Sequence, residues 1–141
     1  MPMYPEEFIA PMRAELTRIG FQEMKSPAEV DEQLENTRGT ILVVVNSMCG
    51  CAAGKARPGI ALALEHPVKP EKLTTVFAGQ DTEATAKARS YFEGMPPSSP
   101  SIALFKDGKL AFMMHRNQIE NRDAGAIAAD LTAAFEKHCG K

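Results

Sequence analysis

From Thr40 to Val45 the chain reads Thr-Ile-Leu-Val-Val-Val, with no polar residue after the threonine. β-Branched side chains favour extended backbone. A strand with one face in water alternates apolar and polar residues, whereas one covered on both faces does not. The run therefore predicts a strand in the middle of an α/β sheet, with helices on either side. Arg38-Gly39 breaks the chain before it, and Asn46-Ser47-Met48-Cys49-Gly50-Cys51 follows directly. Two thiols one residue apart are thus expected at the end of a buried central strand.

The rest of the chain supplies the cover. Phe8, Met12, Leu16 and Ile19 fall at helical spacing and predict a first helix that turns those residues inward. Gly20 stops it, and Pro11 kinks it or marks its start. Ser26-Pro27-Ala28-Glu29 predicts a second helix, with a serine N-cap, proline in the first turn and glutamate three residues on, and Val30 and Leu34 inward. After the cysteines, residues 52–64 are alanine-rich and helical in character, weakened or kinked by Gly54 and Pro58. Residues 73–78 predict a strand, Gly79-Gln80-Asp81 a turn, and Asp81 or Thr82 the cap of a helix with Ala84, Ala88, Tyr91 and Phe92 inward. A stiff proline-rich loop over 94–100 leads to a strand at 101–105. Asp107-Gly108 turns it into an antiparallel partner at 109–114. Asp123 starts a last helix with Ile127, Leu131 and Phe135 inward.

From the central strand onward the order is β-α-β-α-β-β-α. Strands joined through a helix run parallel with right-handed crossover, and the hairpin adds an antiparallel edge. The expectation is one α/β domain over 1–141: a thioredoxin-like, mixed four-stranded central sheet flanked by helices, with two extra N-terminal helices. The length fits one core, and no repeat, low-complexity tract or linker divides it.

Composition narrows the function. A formal net charge of -2 and a pI near 5.9 advertise no basic face to nucleic acid or to an anionic membrane. The aliphatic runs at 41–45 and 60–64 fall far short of the roughly 20 residues that span a bilayer. The opening Met-Pro-Met-Tyr-Pro-Glu-Glu-Phe has no basic stretch followed by an apolar one, so a cytoplasmic protein is expected. Three cysteines are an odd count, unlike a secreted disulfide scaffold. In a reducing compartment a close pair is catalytic or metal-binding rather than a staple. No feature specifies an oligomeric state.

A thiol where a strand ends and a helix begins meets unpaired N–H groups and a partial positive charge. That favours thiolate at Cys49, with a pKa below the roughly 8.5 of a free cysteine, and thiolate is what attacks a disulfide. Gly50 allows a tight turn and leaves the approach open. Cys51 is within reach to attack a mixed disulfide formed on Cys49. A disulfide needs Cα atoms about 4.4–6.8 Å apart and a dihedral near 90°. Residues two apart meet the angles only with strain, which makes a poor staple and favours exchange chemistry. Two other uses stand beside it. Cys49 and Cys51 with His138 and Cys139 make the donor set of a Cys3His metal site, if the last helix folds back. Both thiols can also simply pack.

Pro100 begins a strand after Ser98-Ser99. In the thioredoxin fold a cis-proline holds this place in the element order and faces the reactive cysteine, so a cis Ser99–Pro100 bond is expected. Ser99 offers backbone groups to a substrate chain. His66 reads as loop, His115 and Arg116 as a solvated hairpin end, and His138 as a complement to the last helix terminus. Met113 and Met114 read as core or edge filling. Arg57 either adds positive field near the thiols or faces solvent.

The stretches V-V-V-N-S-M-C-G-C-A-A-G-K-A-R-P, V-F-A-G-Q-D-T-E-A-T-A-K-A-R and P-S-S-P-S-I-A-L resemble the bacilliredoxins, thioredoxin-like proteins with a C-G-C site. The resemblance covers most of the chain, to the closing A-A-F-E-K-H-C. It implies removal of bacillithiol from proteins protected as mixed disulfides during oxidative stress. Cys49 would take the bacillithiol, and Cys51 or a second bacillithiol would clear it. Some family members are discussed as disulfide isomerases. The implied partners are bacillithiolated proteins and a low-molecular-weight thiol or its reductase. No resident cofactor or metal is implied; bacillithiol is the exchanged thiol. Ser99 and Pro100 match the substrate-facing loop. Asn46 and Ser47 match the motif, with no role beyond shaping the turn.

Overall fold

The computed structural model describes residues 3–35 and 38–140. In chain order the elements are α1 (Glu6–Thr17), β1 (Gln22–Glu23), α2 (Pro27–Leu34), β2 (Thr40–Asn46), a π-helical turn (Ala52–Ala56) continuing into α3 (Arg57–Ala63), β3 (Lys72–Phe77), α4 (Thr82–Ser90), β4 (Ser101–Lys106), β5 (Lys109–Met114), α5 (Arg116–Ile119) and α6 (Ala124–Cys139). The apolar run is β2, and every residue of it is buried. Strands are ordered β1-β3-β2-β4-β5. β2 runs parallel to β3 and antiparallel to β4, and β4 pairs antiparallel with β5.

Alternation along β2 builds two cores. Leu42 and Val44 pack with Leu16 of α1, Ile60 of α3 and Ile127, Leu131 and Phe135 of α6. Ile41, Val43 and Val45 pack on the other face with Val30 and Leu34 of α2 and Ala84 and Ala88 of α4. α3 and α6 touch so closely that a Cβ on Gly59 would stand 2.8 Å from Ile127 Cγ2. Ser26 caps α2 by accepting the Glu29 N–H at 3.2 Å. Asp107 and Gly108, with φ of 51° and 81°, make the hairpin turn. Among the described residues no helix is long and apolar enough to cross a membrane.

Four details depart from expectation. The sheet has five strands rather than four, because Gln22 and Glu23 pair with Thr74 and Thr75; two residues carry no periodicity to read. α1 turns Ile9, Arg13 and Leu16 inward and leaves Phe8 56% exposed. The rotation follows Arg13, which donates to Glu6, Glu23 and Asp81 and lies 5.4 Å over the Phe77 ring. A buried guanidinium needs such partners, and they hold the helix about one residue away from its apolar stripe. Asp81 is consequently spent on Arg13 and makes no side-chain cap for α4. The helix after the cysteines opens as a π turn, where the Arg57 N–H reaches back to the Ala52 carbonyl. That widened turn lies directly before Pro58, whose ring would crowd the carbonyl four residues back in an α-helix.

Candidate active site

The site is built outward from the end of β2. Asn46 is buried, and its Oδ1 accepts the Ser47 N–H at 2.9 Å and Arg57 Nη1 at 2.8 Å. Its Nδ2 donates to the Met12 carbonyl at 3.3 Å. Arg57 Nη1 also donates to the Ser47 carbonyl at 3.0 Å. Arg57 Nε lies 3.0 Å from Glu15 Oε1, an ionic contact rather than an aligned hydrogen bond. Arg57 is only 3% exposed, so of its two expected placements the solvent-facing one is not observed. It points back under the turn and ties it to α1, with Asn46 as the joint.

This clamp fixes Ser47, and Ser47 acts on the first thiol. Its hydroxyl donates to Cys49 Sγ at 3.3 Å and accepts the Cys49 N–H at 3.4 Å. The Cys49 carbonyl accepts the Ala52 and Ala53 N–H groups at 3.0 and 3.2 Å, which opens the helix. Both thiols are free and half-buried. Burial pushes the Cys49 thiol up, but hydrogen bonds from the Ser47 hydroxyl, the Ala52 N–H and the Cys51 thiol and N–H outweigh it and hold Cys49 below the usual cysteine range. Burial, the hydrogen bond to Cys49 and the Cys49 charge raise Cys51, against the field of Arg116. The arrangement separates the pair: Cys49 gives up its proton more readily than Cys51.

Ser99 and Cys49 line the same open cavity of about 370 Å³. The Ser99–Pro100 bond is cis, and Pro100 is buried behind Ser99. Gly50 is exposed, and a Cβ added to it would meet nothing within 4 Å. The approach is open, as expected, but Gly50 is not in the left-handed region, so the turn makes no demand for glycine.

Sequence reasoning missed the burial of Arg57 and the contacts made by two residues it did name, the Ser47 hydroxyl and Arg116. The last begins α5, a single turn after the hairpin. The His115 N–H donates to Gln118 Oε1 at 2.9 Å, so a glutamine three residues past the cap position was its faint signal. Arg116 Nη1 donates to the Ser99 carbonyl at 3.3 Å, and its N–H to Ser98 Oγ at 3.3 Å. Lys55, from the π turn, donates to the Glu120 carbonyl and secures α5 beside the thiols.

The third cysteine is elsewhere. Cys139 packs beside Thr40 and Lys106, at the start of β2, whereas Cys49 lies past its end. Seven residues of strand at about 3.3 Å each put the two roughly 20 Å apart. The Cys3His donor set is therefore not assembled, and among the described residues no group of three His, Cys, Asp or Glu is placed to hold a metal ion. His138 lines a separate groove with Lys137, and His66 pairs with Glu136 at 2.8 Å.

Comparison with known proteins gives four findings. Residues 4–139 match the family model described as "Disulphide isomerase". The chain is 56% identical over 138 residues to a bacilliredoxin of Koribacter versatilis, covering 98% of this chain and 95% of that one. It is 49% identical over 139 residues to a bacilliredoxin of Salinibacter ruber, covering 97% and 82%. Among solved structures, Fasciola hepatica thioredoxin superposes with a TM-score of 0.58 at 22% identity, covering 84% of this chain and 99% of that one.

Proposed function

We propose a specific reaction for this chain, which belongs to the bacilliredoxin family and is a thiol–disulfide oxidoreductase: the removal of bacillithiol from proteins that carry it as a mixed disulfide. Cys49 is the nucleophile. Its thiolate attacks the bacillithiol sulfur, and the S–S electron pair passes to the protein sulfur. The protein leaves as a thiolate and takes a proton from solvent. Bacillithiol remains joined to Cys49 by a new S–S bond. Two routes clear it. Cys51 loses its proton to solvent and attacks the Cys49 sulfur, expelling bacillithiol thiolate. That leaves a Cys49–Cys51 disulfide, to which a reductase or a free thiol returns two electrons. In the other route a second bacillithiol thiolate attacks the bound one, leaves as bacillithiol disulfide and restores the Cys49 thiolate.

The observation that carries the reading is the unequal pair of thiols: Cys49 lowered with the Ser47 hydroxyl at 3.3 Å, Cys51 raised. A nucleophile needs the thiolate, and a resolving thiol must wait. Gly50 leaves the approach clear, and Ser99 beside Pro100 offers its backbone to the protein partner. A reducing cytoplasm is the setting this chemistry fits.

Intact-mass spectrometry with a bacillithiolated test protein is the test, on parent, Cys49→Ser and Cys51→Ser chains. Cys51→Ser is expected to free the target and gain one bacillithiol; Cys49→Ser is expected to be inert. If Cys49→Ser works like the parent, the assignment fails. If only scrambled protein disulfides react, the isomerase activity named in the family description replaces this one.

A further inference from the structure

The cavity beside Cys49 has a charge pattern that the exchange steps leave unused. Two of its lining residues are arginines, Arg89 and Arg116, and none is acidic, in a chain of formal net charge -2. Arg89 comes from the last turn of α4. Its Nη2 donates to the Ser98 carbonyl at 3.3 Å, its Nε is buried without an acceptor, and among the described residues no carboxylate pairs with it. Arg116 donates to Ser99 and to Glu120. The loop before Pro100 is thus held between two guanidiniums, and Arg89 has donors to spare. A planar carboxylate is the partner that fits a guanidinium best.

The balance of charge changes during the reaction. Before attack, Glu120 already pairs with Arg116, and the Cys49 thiolate is the anion that shares the cavity with Arg89. Once Cys49 enters a mixed disulfide its charge is gone, and the guanidiniums face a neutral sulfur. An anion carried on the adduct would replace it.

We propose that Arg89 and Arg116 form a carboxylate-binding subsite that selects low-molecular-weight thiols bearing carboxylates and seats their sulfur on Cys49. The inference rests on the exchange reading above. It also decides which sulfur is taken. Attack on the small thiol's sulfur frees the protein, whereas attack on the protein's sulfur would trap it on Cys49. Guanidiniums gripping the small partner direct the first outcome.

A single-thiol test protein is loaded as a mixed disulfide with mercaptosuccinate, which carries two carboxylates, or with neutral thioglycerol. Its release by the Cys51→Ser chain is followed by intact mass, each rate divided by that with dithiothreitol. The mercaptosuccinyl form is expected to react about tenfold faster, in line with a charge-assisted hydrogen bond. Added salt should shrink that preference. Arg89→Gln should bring the ratio of the two rates near one, and Arg89→Lys should recover part of it. A merely structural role for Arg89 in holding the Ser98 loop would slow both forms and leave the ratio unchanged, which overturns the subsite. Equal rates and no salt dependence in the parent overturn it as well, while adducts still collected on Cys49 keep the exchange reading intact. Release that does not depend on Cys49, or none from either form, overturns both.

Discussion

Replacing Ser47 with alanine tests how the thiolate is held. The Ser47 hydroxyl is the strongest of the groups lowering Cys49 and donates to its sulfur at 3.3 Å. A hydrogen bond to a charged group contributes about 1.5–3 kcal/mol. Cys49 is half-exposed, so water replaces part of that, and the lower end applies. At about 1.4 kcal/mol per pH unit, the Cys49 pKa should rise by about one unit. The Ala52 and Cys51 donors remain, so the thiol should stay reactive. Rate then follows two opposed effects. Below both pKa values the variant has about tenfold less thiolate, but each thiolate is about threefold more nucleophilic, since reactivity rises with basicity at a slope near 0.4–0.5. Alkylation of Cys49 by iodoacetamide, read by mass, should be about threefold slower there and about threefold faster above both pKa values. The two pH–rate profiles should cross. Stability carries the matching sign: a lowered thiol adds stability that is present above the unfolded pKa and lost as pH falls through the folded one, and the variant should show less of it. A uniform loss of rate at every pH, or an unshifted profile, would refute the assignment of Ser47 as the thiolate's main donor.

Arg57→Met removes the guanidinium that Asn46 and the Ser47 carbonyl share, leaving the buried Ser47 carbonyl without its donor and Asn46 Oδ1 with only the Ser47 N–H; chemical denaturation should show a loss of about 2–4 kcal/mol, larger than for the Glu15→Gln change at its exposed partner. Gly59→Ala drives a methyl into Ile127 and should cost about 1–3 kcal/mol by the same assay, with less than additive loss when combined with Ile127→Ala.

What could be read in advance was whatever one element declares by itself. The unbroken apolar run of β2, the Ser26 cap and the spacing of Ile127, Leu131 and Phe135 each write their structure into a few adjacent residues. So does Cys49-Gly50-Cys51, whose place after a buried strand sets two thiols at the opening of the next helix. What escaped was set by partners distant in the chain. β1 exists only because β3 offers it an edge. Arg13 and Arg57 are inside only because Glu6, Glu23 and Asp81, or Asn46 and Glu15, meet them there. Arg116 reaches the Ser99 carbonyl because α5 forms after the hairpin, on the strength of one turn and the Lys55 tie. A charged residue on a helix looks alike in sequence whether it faces water or a buried acceptor.

The length of β2 has a bearing on electron counting. A disulfide closes only when its Cα atoms come within about 7 Å, and Cys139 stands at the far end of that strand from Cys49. In the exchange proposed above, the two electrons therefore sit on the Cys49–Cys51 pair, and Cys139 is too far away to take the disulfide from either. The strand thus insulates the proposed centre from the third thiol as well as supporting it.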